Sequence, residues 1–245
     1  DADPTQPGVI TDCDLIVPTL RGIKALPGDV NAGIATAPSA VSAVYAYKLG
    51  DGTNRIIAST EGSASAATSR LYDVTTSGWI DKSSAAGDYT ATAASRWTFA
   101  PYGDDLYAAQ KGHQLQVSSG GDFTAVSGAP KALCIVSVLD FIVAFNTDDD
   151  GATYGNDANR WWCSAAGNPA TTGLLTDTPG AITAAAKVGN QLVAFKERSA
   201  YLGTYVDAPA VWGWTLIPGA GLGAFSPYSV VSVQGVGVMT IGIDN

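Results

Sequence analysis

The chain has 245 residues, which suits one large all-β domain or two smaller domains. Hydrophobic residues make up 46% of the sequence, which is enough to bury a sizeable core. Charged residues make up only 14%, against roughly 25% in an average soluble domain, and this favours an assembly subunit or a secreted protein over a free cytosolic enzyme. The net charge of −9 disfavours strong nucleic-acid binding through a basic face, because phosphate contacts need clustered Lys and Arg.

The three cysteines, Cys13, Cys134 and Cys163, form an odd and widely spaced set that does not suggest a disulfide framework. No CxxC pair points to zinc, so we expect three buried or partly buried thiols. No apolar run approaches the roughly 20 residues that cross a membrane as a helix.

Short strands dominate the predicted secondary structure. The Ala-rich stretches are interleaved with Gly, Ser and Thr, which are weaker helix formers, so sustained helices are not expected. An extended segment is predicted for residues 1–30, followed by strands over the rest of the chain. The clearest strands are short β-branched and aromatic runs bounded by polar residues, at Ile135–Val138, Phe141–Phe145, Gln191–Phe195 and Val230–Val233.

A unit of strand, turn and strand recurs along residues 31–245. In chain order, the first unit is Arg55–Ala58, Arg70–Val74 and Trp79–Ile80, and the second is Tyr102–Ala109, Gln114–Val117 and Phe123–Val126. The third is Val138–Phe145 and Arg160–Ser164, and the fourth is Val188–Lys196, Ala200–Tyr205 and Trp212–Pro218. A partial fifth unit begins at Ser229. Residues 146–159 are then expected to form a long loop between two strands.

Aligning Ala58, Ala108, Ala144 and Ala194 gives separations of 50, 36 and 50 residues. These values bracket the roughly 40–50 residues of a propeller blade. The sequence therefore predicts an all-β fold, a β-propeller of three- to four-stranded blades with about four blades and a partial fifth. Aromatic residues in the outer strands would fill the wedge between neighbouring blades.

A propeller must close on itself, because an open ring of blades leaves a bare strand edge. Four blades and a partial fifth do not complete such a ring. Either residues 14–24 supply the missing outer strands, or more chain follows Asn245. We favour the second expectation.

Five strings carry a family resemblance: Asp1–Ile10, Pro18–Gly22, Arg160–Gly167, Ala200–Tyr205 and Trp214–Gly219. Together they resemble virion proteins of tailed bacteriophages, in particular the propeller-bearing tail nozzle proteins of short-tailed phages. The resemblance covers most of the chain. It implies a structural, non-enzymatic subunit that forms a ring around the DNA-ejection channel of the virion tail, after assembly in the host cytoplasm.

The same resemblance implies the partners. They are other copies of the chain in a ring and other tail proteins such as adaptor, fibre or spike proteins. DNA would pass through the channel without tight binding, since the surface is acidic and weakly basic. No catalytic, cofactor-binding or metal-binding residues come with the resemblance, so no enzymatic activity and no cofactor are expected.

Two polar groups are candidate sites in their own right. His113, the single histidine, lies in a predicted turn, where we expect a solvated side chain and not a general base. Asp148, Asp149 and Asp150 precede a glycine, and Asp157 is nearby, which are features of calcium loops. The full EF-hand spacing is missing, so an exposed acidic turn is favoured and calcium binding is the alternative.

Trp161, Trp162, Trp212 and Trp214 suggest either packing between blades or stacking on sugars. Packing is favoured, and sugar stacking defines the alternative function, a lectin-like propeller that recognises a host surface. A secreted hydrolase is a further alternative and would need clustered carboxylates in a cleft. The glycine-rich segment Gly219–Gly223 lacks the Lys-Ser/Thr of a phosphate loop and is predicted to be a flexible connection between blades.

Overall fold

Regular structure in the described part of the chain is β-strand, apart from one 3₁₀ turn at Pro227–Ser229. The prediction of an all-β fold is therefore confirmed. The computed structural model describes residues 16–19, 22–25, 35–61, 68–76, 78–84, 89–90, 96–148, 157–164, 171–219, 221–233 and 236–242. The chain forms two units, Asp1–Ile34 and Ala35–Asn245. In the first unit, β1 (Ile16–Thr19) and β2 (Gly22–Ala25) pair as an antiparallel hairpin.

The second unit begins with two antiparallel meanders, in which each strand pairs with the next along the chain. The first meander consists of β3 (Val41–Lys48), β4 (Asn54–Thr60), β5 (Thr68–Asp73) and a fourth strand in two pieces, β6 (Ile80–Asp81) and β7 (Tyr89–Thr90). The second consists of β8 (Thr98–Tyr102), β9 (Asp105–Gln110), β10 (His113–Ser118) and β11 (Thr124–Ala125).

Two further meanders and a hairpin follow, and a pairing of Gln114 in β10 with Lys131 joins the second and third meanders into one eight-stranded sheet. The third meander consists of β12 (Lys131–Val138), β13 (Phe141–Asp148), β14 (Asp157–Cys163) and β15 (Thr171–Leu174). The fourth consists of β16 (Ile182–Val188), β17 (Gln191–Lys196), β18 (Ala200–Asp207) and β19 (Val211–Leu216). The hairpin consists of β20 (Val230–Val233) and β21 (Gly237–Thr240).

The alanine alignment identifies structurally equivalent positions. Ala58, Ala108, Ala144 and Ala194 all lie in the second strand of their meanders, and each is at most 1% exposed. Their third-strand partners are Tyr72, Gln116, Trp162 and Tyr201. The repeat inferred from the sequence therefore has the correct register.

The predicted units nevertheless differ from the meanders at their starts. Each predicted unit begins at or just before the second strand, whereas each meander has an additional strand before it: β3, β8, β12 and β16. The predicted loop at 146–159 is also too long, because β13 continues to Asp148 and β14 starts at Asp157. These first strands pack against one another in chain order, β3 with β8, β8 with β12, β12 with β16, and β16 with β20.

The hydrophobic core is divided among the interfaces between successive meanders. A first cluster joins the first and second meanders, a second joins the second and third, and a third joins the third and fourth. A fourth cluster packs the last meander against the hairpin through Val230 and Val238. Fully burying one large apolar side chain contributes about 1.5–3 kcal/mol, so these interfaces dominate the stability of the unit.

Two glycines make room for tryptophans on neighbouring strands. Gly203 pairs with Trp214 and Gly173 pairs with Trp161 across adjacent strands. A Cβ at Gly203 would lie 2.7 Å from Cζ3 of Trp214, and one at Gly173 would lie 2.7 Å from Nε1 of Trp161. Each indole therefore lies over a glycine that no larger residue can replace without displacing the ring.

We expect Gly203→Ala to lower the free energy of unfolding by about 1–3 kcal/mol, because it overpacks the contact with Trp214. Gly121→Ala is the matched control, since a Cβ there meets nothing within 4 Å. The control should change stability by less than about 0.5 kcal/mol. Urea unfolding followed by tryptophan fluorescence measures both, and equal stabilities of the two variants would contradict the close packing.

Cys134 and Cys163 are buried free thiols in the cluster between the third and fourth meanders, which confirms the prediction for these two. Cys13 lies outside the described residues. Burial raises the pKa of Cys134 from 9.0 to about 12 and that of Cys163 to about 11. Trp212 donates a hydrogen bond from Nε1 to Sγ of Cys163 at 3.3 Å.

These raised pKa values predict loss of stability in alkali. Above pH 9 the unfolded chain releases thiol protons that the folded chain retains, so the stabilising contribution is complete below pH 9 and declines as the pH approaches 11–12. Cys134→Ala should make the decline between pH 9 and 11 shallower by up to about 1.4 kcal/mol per pH unit. Urea unfolding at several pH values tests this, and identical pH slopes for wild type and variant would refute it.

Candidate functional site

His113 is not the solvated turn residue that the sequence predicted. It is the first residue of β10 and pairs with Gln110 across the turn at Lys111 and Gly112. Its half-buried ring lies 5.1 Å from the Tyr89 ring and 6.4 Å from the Trp97 ring, measured between centroids. The packing of first and second meanders therefore explains this residue.

The acidic candidate for calcium is only partly described. Asp148 ends β13 opposite Lys131, and Asp157 begins β14 opposite Thr147. Asp149 and Asp150 lie outside the described residues. Among the described residues, no group of three or more His, Cys, Asp and Glu side chains could hold a metal ion. Calcium binding at Asp148–Asp150 stays an open alternative.

The tryptophans pack inside the fold, as favoured by the sequence. Trp161, Trp162 and Trp212 are each 3–4% exposed. Trp161 lies in the cluster between the third and fourth meanders, while its neighbour Trp162 faces the second meander. Trp214 packs on Phe145 and Trp161, with both centroid distances at 5.8 Å. None of the three buried indoles has a face open for a sugar ring.

Gly219–Gly223 connects the fourth meander to the hairpin, as predicted, but flexibility does not account for Gly223. A Cβ at Gly223 would collide with the backbone carbonyl of Glu197. The next residue, Ala224, is fully buried and donates its backbone N–H to the carbonyl of Lys196 at 3.1 Å. Gly223 is thus required by close backbone packing.

Residues that the sequence did not single out surround a cavity of about 470 Å³. It lies near the beginnings of first strands β12 and β16, beside the segment that leads into β20. Its walls are mostly apolar, and one cation, Arg96, reaches it. The lining residues are Arg96, Leu133, Asn146, Ala181, Ile182, Thr183, Phe225, Ser226, Pro227 and Tyr228.

Tyr228 links this cavity to a distant part of the chain. Its hydroxyl donates a hydrogen bond to the carbonyl of Trp97 at 2.8 Å. The Arg96 guanidinium lies over the Tyr228 ring, 5.6 Å from the centroid, which is cation–π geometry. The turn that carries Tyr228 is fixed by Ser226, whose side chain accepts the Tyr228 N–H at 3.3 Å. The cation and the aromatic ring are therefore held together at the rim.

Asn146 forms the polar part of the cavity wall and connects three meanders. Its backbone lies in the left-handed region at φ 54°. The side-chain Nδ2 donates to the carbonyl of Ile182 at 2.8 Å. Lys111 Nζ donates to the Asn146 carbonyl at 2.8 Å and to Oδ1 at 2.5 Å. Burial lowers the pKa of Lys111, although Asp148 and Asp157 oppose this effect.

Lys196 is a second buried lysine that the sequence gave no reason to notice. Its side chain is fully buried, and Nζ donates to the carbonyl of Leu175 at 2.8 Å and to the carbonyl of Thr178. Burial lowers its pKa as well. The carbonyl partners tie β17 to the segment before β16, so this lysine has a structural role.

The side chains around the cavity are of the types that bind small molecules. Its one cation and its two aromatic rings are at the rim, while the amide of Asn146 is already hydrogen-bonded within the wall. Within the described ranges, no helix has the length and apolarity needed to span a membrane.

Comparison with known proteins gives no family. No protein-family model matches the chain, and no curated protein matches it. Among solved structures, the chain is similar to one described as YCF48 bound to D1 peptide, with a TM-score of 0.43 and 11% sequence identity. The alignment covers 86% of this chain and 62% of that one, so it spans less than two thirds of that protein. At this level of similarity, nothing about function follows.

We expect Asn146→Ala to lower the free energy of unfolding by about 2–4 kcal/mol, because it removes one of the two acceptors of Lys111 and the donor to the Ile182 carbonyl, and places alanine at positive φ. Asn190→Ala, an exposed turn residue, is the control and should change stability by less than about 0.5 kcal/mol. A double-mutant cycle with Lys111→Met should give a coupling above about 0.5 kcal/mol. Urea unfolding measures the four proteins of the cycle and the control, and zero coupling would show that the side-chain hydrogen bond from Lys111 to Oδ1 of Asn146 does not stabilise the fold.

Proposed function

We propose that this chain is a β-propeller subunit of a bacteriophage tail nozzle, with a structural and not an enzymatic role. Copies of the subunit would form a ring around the channel that conducts DNA out of the capsid. The subunit would reach the virion tail by assembly in the host cytoplasm, beside adaptor and fibre or spike proteins. The five sequence strings that resemble nozzle proteins support the tail assignment.

The observation that carries the propeller part is the serial packing of the meanders. Four consecutive meanders share apolar clusters, one pairing between β10 and β12 joins the second to the third, and their first strands contact one another in chain order. This is the arrangement that blades adopt around an axis. In the proposal, β20 and β21 are two strands of a fifth blade.

Exposed apolar side chains on and beside the hairpin support a contact surface at this end of the series. Val231, Met239 and Ile241 are 56%, 60% and 63% exposed. On the first meander, Val44 is 60% exposed, in the strand at the other end of the series. Clusters of exposed apolar side chains mark surfaces that associate with another element or another protein.

The charge of the chain supports passage of DNA without tight binding. The excess of acidic over basic groups gives a net charge of −9, and exposed acidic groups such as Asp104 repel phosphates. A surface that held DNA tightly would slow ejection. A lectin-like alternative loses its basis here, because Trp161, Trp162 and Trp212 are buried.

The experiment is assembly of the full-length protein beside its tail partners. Light scattering after size-exclusion chromatography and negative-stain electron microscopy should show closed rings of identical subunits. A gel shift with duplex DNA at physiological salt should show a dissociation constant no tighter than about 1 µM, as for non-specific contacts. A non-specific DNA-binding protein is the positive control for the gel shift.

Two results would overturn this function. A strictly monomeric protein that binds a glycan would favour a recognition module. A submicromolar complex with DNA would show that the channel role is wrong.

A further inference from the structure

We propose that the cavity beside Arg96 binds a small carboxylate that carries an aromatic or branched apolar body. The cavity volume of about 470 Å³ lies within the range of roughly 300–1,000 Å³ that small-molecule sites occupy. Nothing in the nozzle function requires such a site, so the proposal stands or fails separately from it.

The first step of the argument is the charge. Arg96 is exposed, and it makes no ion pair with another described residue. Its guanidinium stacks on the Tyr228 ring in cation–π geometry, which leaves the N–H groups available to donate hydrogen bonds to a ligand. None of the described lining residues is acidic, and Lys111 lies directly behind Asn146. Arg96 is therefore the one charged side chain of the described lining, although the Glu197 carboxylate accepts the backbone N–H of the lining residue Ala181 at 3.4 Å.

The second step is that the other polar groups of the wall already have partners. Both ends of the Asn146 amide are hydrogen-bonded. The Thr183 hydroxyl donates to the carbonyl of Phe195 at 3.3 Å, and the Ser226 hydroxyl accepts from Tyr228. The Ser226 O–H is a neutral donor, and Arg96 is the one charged donor of the lining, so the ligand needs one anionic group.

The third step is the apolar wall, which selects the rest of the ligand. Leu133, Ile182 and Pro227 line the interior, and Phe225 at the rim is 69% exposed. An aromatic body would cover Phe225 and gain the free energy of burying apolar surface.

The anion is a carboxylate and not a phosphate. One guanidinium matches a carboxylate with two parallel N–H···O bonds. A phosphate dianion would leave several oxygens unpaired against the apolar walls, which costs more than one guanidinium returns.

Isothermal titration calorimetry with 3-phenylpropionate tests the proposal on the full chain. The expected dissociation constant is about 1 mM or lower, from the usual affinity per non-hydrogen atom. The uncharged 3-phenylpropionamide, acetate and inorganic phosphate should each bind at least about tenfold more weakly, since each lacks the charge, the apolar body or the fit.

Substitutions of lining residues test whether 3-phenylpropionate binds in this cavity. Arg96→Gln should weaken 3-phenylpropionate at least about tenfold, and Arg96→Lys should weaken it less because the charge remains. Arg198→Gln removes an exposed arginine that is not among the lining residues and should leave affinity within about twofold. Phe225→Ala should weaken binding about three- to tenfold, and this exposed side chain can be removed without threatening the fold.

Thermal melts confirm that each variant is folded before titration. The proposal is refuted if wild type shows no binding of 3-phenylpropionate at 10 mM, about ten times the expected constant. It is also refuted if the amide or phosphate binds as tightly, or if Arg96→Gln and Phe225→Ala both retain wild-type affinity.

Discussion

Burial of both faces of the second, third and fourth meanders is the constraint on which the rest of this structure depends. The second strands show it directly, since Leu192–Phe195 and Ile142–Phe145 are runs in which every side chain is buried. A half-buried sheet would alternate apolar and polar residues, whereas these strands are apolar on both sides because a meander covers each face. A single meander on its own would expose both of its apolar faces to water. The meanders are therefore stable only as a packed series.

The same constraint explains where large and small residues fall. Alanine occupies the equivalent central position of all four second strands, and third strands carry the bulkier residues Tyr72, Trp162 and Tyr201 in three meanders. Small residues near the first strands and large ones farther out suit sheets that converge on one side. Gly173 and Gly203 are also paired with large residues, because each glycine gives an indole the space that a side chain would otherwise fill.

Polar contacts then fix the relative positions of the packed sheets. Asn146 joins the second, third and fourth meanders through Lys111 and Ile182, and Tyr228 reaches from the turn before the hairpin to Trp97. Apolar packing by itself is not directional, whereas these hydrogen bonds have defined partners. They surround the cavity, so its shape is set by the same contacts that hold the meanders in register.

Much of the fold could be predicted from the sequence, because its signals are local. Short β-branched runs, turn residues and the spacing of Ala58, Ala108, Ala144 and Ala194 determined the all-β class and the repeat. All four first strands were missed as members of the repeat, since their composition is less distinctive than that of the second strands, although part of β12 was predicted as a strand at Ile135–Val138. The cavity could not be predicted, because Arg96, Asn146 and Tyr228 come from three separate parts of the chain and no local pattern links them. His113 likewise looks like a turn residue in the sequence, and only the packing of Tyr89 and Trp97 around it decides that it belongs to an interface. Local propensity thus determined the strands, and face-to-face burial of those strands decided which side chains meet.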